Sequence, residues 1–183
     1  PVHGEMFHRV TVDFGTSEAQ GQSTEALLKS SRETGLSPQW LELMHAMGRY
    51  TLISAGTGEL PVALSGIWGN DWNPPWDGRY TIDANINLAI SGVSQGNLPE
   101  AMASYCNLIA RSMEDWRLSA RQVFGYRGVF ADLCQGWRHA KALMHYPWVG
   151  GAGWLASYVY DHYLYTGDRD FLKTAVLPLL RET

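Results

Sequence analysis

The sequence lacks the features that mark several large classes of protein. Only two of its 183 residues are cysteines, Cys106 and Cys134, so no disulfide framework is predicted and the cellular compartment stays open. The net charge is −4 and no basic stripe is present, which argues against a nucleic-acid partner. No window is apolar and long enough to predict a membrane span. Residues Pro1–Gly4 show no basic start followed by an apolar run, so no signal peptide is expected there.

Motifs for metals, phosphates and parallel sheets are missing as well. The histidines show no ligand spacing and no glycine loop of the phosphate-binding type occurs, so we expect no metal site and no cofactor. Strands and helices do not alternate along the chain, and no strand pattern repeats. These absences predict a mainly α chain.

Aromatic side chains, in contrast, are plentiful, with eight tryptophans and nine tyrosines. Trp68, Trp72 and Trp76 lie in the segment 66–97, among glycines, asparagines and the pair Pro74–Pro75. A segment so rich in glycine and proline cannot form one regular helix or strand. Indole rings stack on apolar sugar faces, and amides, carboxylates and guanidinium groups bind sugar hydroxyls, which favours a sugar site here. The alternative is that the tryptophans only anchor a long loop to the core.

Helical periodicity and capping residues predict the elements around this segment. One helix is expected over Ser23–Thr34, ending before Gly35, and a second begins at Ser37–Pro38 and runs to about Ser54. The spacing i, i+3, i+4, i+7 predicts one buried face on the second helix. That predicted face consists of Trp40, Leu43, Met44, Met47 and Tyr50.

Two further long helices are expected after the central segment. The first begins at Asn97–Glu100 and reaches about Trp116, with an extension through Ser119–Val123 left open. The second opens at Gly150–Gly151 and stops at Thr166–Gly167, after which Asp168 caps a short successor. The chain therefore reads as long helix, polar loop, long helix, loop, long helix.

Several segments of the chain resemble one known family. They include GRYTLISAG (48–56), LSGIWGNDWNPPWDGRYT (64–81), NLPE (97–100), GYRGVFA (125–131), GAGWLASYVYDHYLYTGDRDFL (151–172) and LPLL (177–180). HGEMFHRVTVDFG (3–15) is similar to the family's lead-in to its barrel. With these motifs the chain resembles the catalytic domain of glycoside hydrolase family 95, the inverting α-L-fucosidases and their α-L-galactosidase relatives.

The resemblance implies a fold and a division of the chain. Residues 1–36 would form a lead-in segment, and residues 37–183 would form part of an (α/α)6 catalytic barrel. The chain has about half the helices that a complete barrel needs. The expected partners are therefore an oligosaccharide substrate and the rest of the protein's own catalytic domain.

The resemblance also implies the catalytic residues. An inverting glycosidase uses an acid on the leaving oxygen and a base that activates water, with carboxyl groups about 6.5–9.5 Å apart. In the family, an N-x-N pair after Y-[H/T]-x assists a distant aspartate, and that aspartate and the acid lie C-terminal to the region seen here. Counting without gaps from Tyr80 places Asp83 and Asn85 on the pair, and we predict these two as catalytic. A literal match with a two-residue shift gives Asn85 and Asn87 instead.

Asp83 has two other interpretations. Its carboxylate could cap the turn that follows it, at Ala84–Ile90. An aspartate in place of the family's first asparagine could serve as the base itself, or mark altered chemistry or a lost activity. A second departure is Asp132–Gly136, which stands where the family tends to have a run similar to His-His-Asn-Thr-Asp that lines the sugar pocket.

Substrate contacts are predicted from the same motifs. Indole rings would stack on sugar, Arg79 would orient Asp77 or a sugar hydroxyl, and Thr81 would leave room for a hydroxymethyl group where fucose has a methyl group. The residues predicted to bind substrate are Trp68, Trp76, Arg79, Thr81, Asp132 and Trp148.

The predicted function is hydrolysis of α-linked L-fucosyl or related residues from oligosaccharides. Two alternatives stay open at this point. One is an (α/α)6 enzyme that acts on another sugar or linkage, including a phosphorylase. The other is a catalytically altered or inactive relative that binds carbohydrate.

Overall fold

A computed structural model of the chain describes residues 2–15, 21–69, 71–136 and 147–183. The described residues are mainly helical, as predicted from the sequence. The helices are α1 (Val2–Phe7), α2 (Thr24–Thr34), α3 (Pro38–Gly56), α4 (Asn85–Ile90), α5 (Pro99–Ser119), α6 (Gly151–Thr166), α7 (Arg169–Phe171) and α8 (Leu177–Leu180). The two strands, β1 (Tyr80–Thr81) and β2 (Cys134–Gln135), have two residues each. Pro75–Gly78 forms a 3-10 helical turn, and Ala120–Phe124 and Leu172–Val176 form π-helical turns.

Local capping chemistry explains where the predicted helices begin and end. Ser23 accepts a hydrogen bond from the backbone N–H of Ala26, and Ser37 accepts one from Trp40. Asp168 accepts from the backbone of Asp170 and Phe171. These side chains satisfy backbone donors that a helix start leaves unpaired. The predicted starts at Ser37 and Asp168 are confirmed, and so is the stop of α6 at Gly167, whose φ is 66°.

The core forms where α4, α5 and α6 contact one another. Tyr105 of α5 is completely buried and donates a hydrogen bond to the backbone oxygen of Leu155 on α6, at 3.0 Å. Trp116, near the end of α5, is also buried. Helical spacing predicts a buried stripe on this helix, made of Met102, Tyr105, Cys106, Ile109, Met113 and Trp116. The stripe is confirmed, with Cys106 and Met113 half-buried at its margin.

The buried face predicted for α3 is wrong. Met44, Met47 and Tyr50 are about half exposed, whereas Arg49, Ile53 and Gly56 are the buried residues of this helix. The buried guanidinium of Arg49 donates to the backbone oxygens of Met6, Phe7 and Gly96. A buried charge is costly unless it is hydrogen-bonded, and these carbonyl groups supply the partners. Arg49 thereby ties α1 and the turn after α4 to α3.

A two-residue ladder joins the central segment to the loop before α6. Tyr80 pairs with Gln135 and Thr81 with Cys134, in antiparallel register. The ladder continues as a hydrogen bond from the Ile82 N–H to the Leu133 oxygen, at 2.8 Å. This pairing holds the chain just before Asp83. In the described part of the chain, no helix is long and apolar enough to cross a membrane.

Candidate active site

Asp83 and Asn85 follow directly from the β1–β2 ladder. Tyr80, Thr81 and Ile82 are buried, and the Tyr80 hydroxyl donates to the Pro61 oxygen at 3.2 Å. The chain then reaches the surface at Asp83 and enters α4 at Asn85, where both side chains are exposed. A buried, hydrogen-bonded strand thus presents two polar residues at fixed positions.

A left-handed turn precedes the ladder. Trp76 and Asp77 have φ values of 53° and 56°, and Gly78 follows with 62°. This conformation costs free energy for residues that carry a Cβ and persists only where surrounding contacts hold it. The Arg79 guanidinium forms an ion pair with the Asp77 carboxylate at 2.9 Å across the turn. The indole of Trp76, which is 68% exposed, is therefore presented by a constrained backbone.

Four of the predicted site residues line one cleft of about 160 Å³. They are joined there by two leucines, and the lining consists of Leu64, Trp76, Thr81, Asp83, Asn85 and Leu133. A second cleft of about 320 Å³ shares Leu64, Thr81 and Asn85 with the first. Binding sites for small molecules commonly occupy about 300–1,000 Å³, so the adjoining clefts together fall within that range.

The polar groups of this cleft include several without a protein partner. Among the described residues, no hydrogen bond or ion pair is formed by the side chains of Asp83 and Asn85. The hydroxyl oxygen of Thr81 is buried and also has no partner within the described ranges. Unpaired buried polar groups are uncommon in native structures, which makes this hydroxyl available to a ligand or to water.

The Asp83 carboxylate also affects the pKa of Cys134, a cysteine beside the cleft. Burial raises the pKa of the Cys134 thiol, and the negative charge of Asp83 raises it further, with Arg79 acting in the opposite direction. Cys134 is the β2 partner of Thr81. The thiol is therefore held in its neutral form next to the Asp83 carboxylate.

The capping interpretation of Asp83 finds no counterpart in the described structure. The residue at the N-cap of α4 is Ala84, and no side chain hydrogen-bonds to that helix start within the described residues. Asn87, which belongs to the shifted register, is completely buried, whereas Asn85 is exposed on the cleft. Of the two registers, the gap-free one places both of its residues on the cleft.

Four other predicted substrate contacts lie outside the lining of this cleft. Trp68 is half exposed and lies close to Gly66, and Arg79 is engaged by Asp77. Trp148 packs edge-on against Trp154, with ring centroids 5.8 Å apart. The roles of these three residues stay predictions.

Asp132 is the fourth of these residues, and it is 2% exposed. Its carboxylate accepts the N–H of Leu133 at 2.8 Å, and its backbone oxygen accepts from the Gln135 side chain at 2.7 Å. Gln135 in turn accepts from the indole N–H of Trp116 at 2.9 Å. This chain of hydrogen bonds runs into the core, so the structure does not bring Asp132 into the cleft.

Sequence reasoning did not select the apolar residues of the cleft. Leu64 lies in the first tryptophan-containing motif and Leu133 lies in the segment that departs from the family's pattern. No local pattern in the sequence marks Leu133. The ladder brings it to the cleft, because its backbone oxygen accepts the Ile82 N–H and its neighbour Cys134 pairs with Thr81. Within the described ranges, no cluster of three or more histidine, cysteine or carboxylate side chains is placed to hold a metal ion.

Such a cleft can bind a polar ligand that has an apolar face. The lining includes an indole and two leucines, which supply apolar surface, and a carboxylate and an amide that are two residues apart in the chain. A carboxylate accepts hydrogen bonds from hydroxyl groups or water. The arrangement can therefore stack a sugar ring and polarise a water molecule beside it.

Comparison with known proteins gives one family and two relatives. Residues 2–183 match the model of the glycosyl hydrolase family 95 catalytic domain. The chain is 30% identical to "Alpha-L-fucosidase 2" of Arabidopsis thaliana over 186 residues, which covers 96% of this chain and 22% of the relative. It is 28% identical to "Probable alpha-fucosidase A" of Aspergillus niger over 177 residues, covering 86% of this chain and 21% of the relative.

The chain spans about a fifth of the length of these curated relatives. The family match, in contrast, extends over nearly the whole chain and agrees with the resemblance seen in the sequence motifs. The chain therefore belongs to the glycosyl hydrolase family 95 catalytic domain family.

Proposed function

We propose that the protein carrying this chain is a glycosidase that releases α-linked L-fucosyl or related residues from oligosaccharides with inversion. The observation that carries the proposal is the cleft formed by Trp76, Thr81, Asp83 and Asn85 in a member of this family. The printed names of both relatives describe fucosidases, which supports the same substrate class.

Asp83 and Asn85 act on the water in this proposal. Asp83 accepts a proton from the attacking water, and Asn85 orients that water through its amide. Neither side chain has a competing partner among the described residues, which leaves both free for this task. The proton donor on the leaving oxygen comes from another part of the catalytic domain, at the separation of about 6.5–9.5 Å typical of inverting enzymes.

Trp76 and Thr81 bind the sugar. The indole stacks on an apolar sugar face, and its left-handed backbone, braced by the Asp77–Arg79 ion pair, limits the entropy lost on binding. The unpaired Thr81 hydroxyl hydrogen-bonds to the ligand or to a water on it. In this proposal residues 37–183 form about half of an (α/α)6 barrel, and the groups named above belong to that half.

The test is carried out on the complete gene product. Released monosaccharide is measured on α-L-fucosides, α-L-galactosides and plant-type or milk-type oligosaccharides, with NMR of the anomer that forms first. A β-anomer from an α-linked substrate is the expected result. Asp83→Asn and Asn85→Ala are each expected to lower kcat by about 10²–10⁴-fold, because activation of the nucleophile contributes that much, while the circular dichroism spectrum is unchanged.

Other outcomes would contradict parts of the proposal. Unchanged turnover in both variants would remove Asp83 and Asn85 from the catalytic role. Turnover that requires inorganic phosphate would identify a phosphorylase, because a hydrolase needs only water. Saccharide binding without bond cleavage would identify a carbohydrate-binding relative, a candidate favoured by the burial of Asp132 away from the cleft.

A further inference from the structure

A cleft of about 360 Å³ with three arginines lies at the end of α5. It is lined by Arg117, Arg121, Gly125, Tyr126, Arg127, Gly128 and Glu182. The motif GYRGVFA, which marks the family resemblance, supplies four of these residues, and none of them belongs to the cleft around Asp83. The proposed glycosidase reaction does not involve this second cleft.

The cleft is formed by three segments: the end of α5, the turn that follows it, and the segment around Glu182. The π-helical turn Ala120–Phe124 ends at Gly125 with a φ of 70°, and the Tyr126 N–H returns to the Ala120 oxygen at 3.2 Å. A Cβ on Gly128 would lie 2.6 Å from the Glu182 oxygen, so the backbones approach closely there. The Val129 N–H donates to that same oxygen at 3.0 Å. The turn and the C-terminal segment are therefore locked together.

The charges in the cleft do not balance. Arg117 donates two hydrogen bonds of 2.6 Å to the Glu182 carboxylate, which lowers the pKa of that carboxyl group. This bidentate pair neutralises one arginine. Arg117 also forms a longer ion pair, of 3.5 Å, with Glu114 outside the lining of the cleft. Within the described residues, Arg121 and Arg127 form no ion pair, so these two guanidinium groups are not neutralised by a direct contact.

An exposed tyrosine, Tyr126, lies between Arg121 and Arg127 in the sequence. Tyr126 is 72% exposed and lines the same cleft. Guanidinium groups bind carboxylates in a planar, bidentate manner, and an open phenol ring offers a face for stacking. This combination fits a ligand that carries an anionic group on a ring with an apolar face.

We propose that Arg121, Tyr126 and Arg127 form a second saccharide site that binds a uronic acid residue. The carboxylate of the uronate lies between the two guanidinium groups, and its ring stacks on Tyr126. The saccharide nature of the ligand rests on the proposed function, whereas its anionic nature rests on the unbalanced charge. The site binds an acidic part of a glycan while the Asp83 cleft acts on a neutral residue.

Binding is measured by calorimetry on the complete gene product at low salt. The probes are trigalacturonate, the neutral trisaccharide of galactose, and citrate as an acid that is not a sugar. Trigalacturonate is expected to bind at least tenfold more tightly than either of the others. Arg121→Gln/Arg127→Gln should reduce that binding at least tenfold, and Tyr126→Ala should weaken it where Tyr126→Phe does not.

Arg169→Gln serves as the matched control, because this arginine is also exposed but lies outside the cleft, on α7. Hydrolysis of a small neutral fucoside is followed in parallel and should be unaffected by the double substitution, so failure of this site and failure of the glycosidase proposal give different results. Equal binding of citrate and trigalacturonate would overturn the saccharide assignment. Absence of binding, or binding that the double substitution leaves intact, would overturn the site.

Discussion

Asn87 is a single residue whose environment conflicts with its chemistry. Its side chain is completely buried in α4, and within the described residues neither its amide nitrogen nor its oxygen has a hydrogen-bond partner. A buried polar group without a partner costs about 1–3 kcal/mol. The exposed neighbours Asp83 and Asn85 carry no such cost, because water reaches them.

We predict that Asn87→Leu keeps or increases the stability of the protein, by about 1–2 kcal/mol, because it removes two unpaired polar atoms. The thermal unfolding midpoint of the complete protein measures this effect. Asn107→Leu, at an exposed position of α5, is the control and should give no comparable gain. A clear loss of stability in Asn87→Leu would instead show that a group outside the described residues binds this amide.

At the scale of elements, the start of α6 depends on a close backbone contact. A Cβ on Gly151 would lie 2.6 Å from the Ala131 oxygen and 3.6 Å from a methyl group of Ile82. Gly153, two residues further along the same helix, has open space around it. The helix thus packs at its first residue against the segment that leads to β2.

These two glycines predict opposite effects for the same substitution. Gly151→Ala should destabilise the protein by about 1–3 kcal/mol, because a backbone atom must move to admit the methyl group. Gly153→Ala should stabilise it by about 0.5–1 kcal/mol, because alanine loses less backbone entropy in a helix. Thermal or denaturant unfolding of the two variants side by side makes the comparison. Equal effects would contradict the close packing at Gly151.

Across the whole molecule, His162 connects distant parts of the chain. Its Nδ1 lies 3.2 Å from the Ser94 hydroxyl in the turn after α4, and its ring meets Phe171 edge-on at 5.4 Å. Burial lowers the pKa of His162 from its usual 6.5, and the charge of Asp168 opposes this effect. The folded protein therefore takes up this proton at a lower pH than the unfolded chain does.

We predict that stability decreases as the pH falls below about 6.5 toward the lower pKa of the folded state, since the unfolded chain binds the proton first. His162→Gln should flatten the dependence of the unfolding midpoint on pH between 7 and 5. His45→Gln keeps His162 and should retain the slope. If His162→Gln leaves the slope as it is, the pH dependence belongs to other groups.

Residue order alone determined the long helices and the family of this chain. The caps at Ser23, Ser37 and Asp168 and the stop at Gly167 act within about four residues, so a local pattern is enough to predict them. The family motifs are likewise contiguous stretches, and they singled out the region around Asp83 before its surroundings were known.

Tertiary structure decided which surfaces meet. Periodicity predicted Met44 and Met47 for the buried face of α3, but the carbonyl groups of α1 and Gly96 select Arg49 for that face. The pairing of Thr81 with Cys134 and the withdrawal of Asp132 into the core also depend on partners far away in the chain. Burial and pairing are properties of contacts between distant segments, so neither helical spacing nor a local motif contains them.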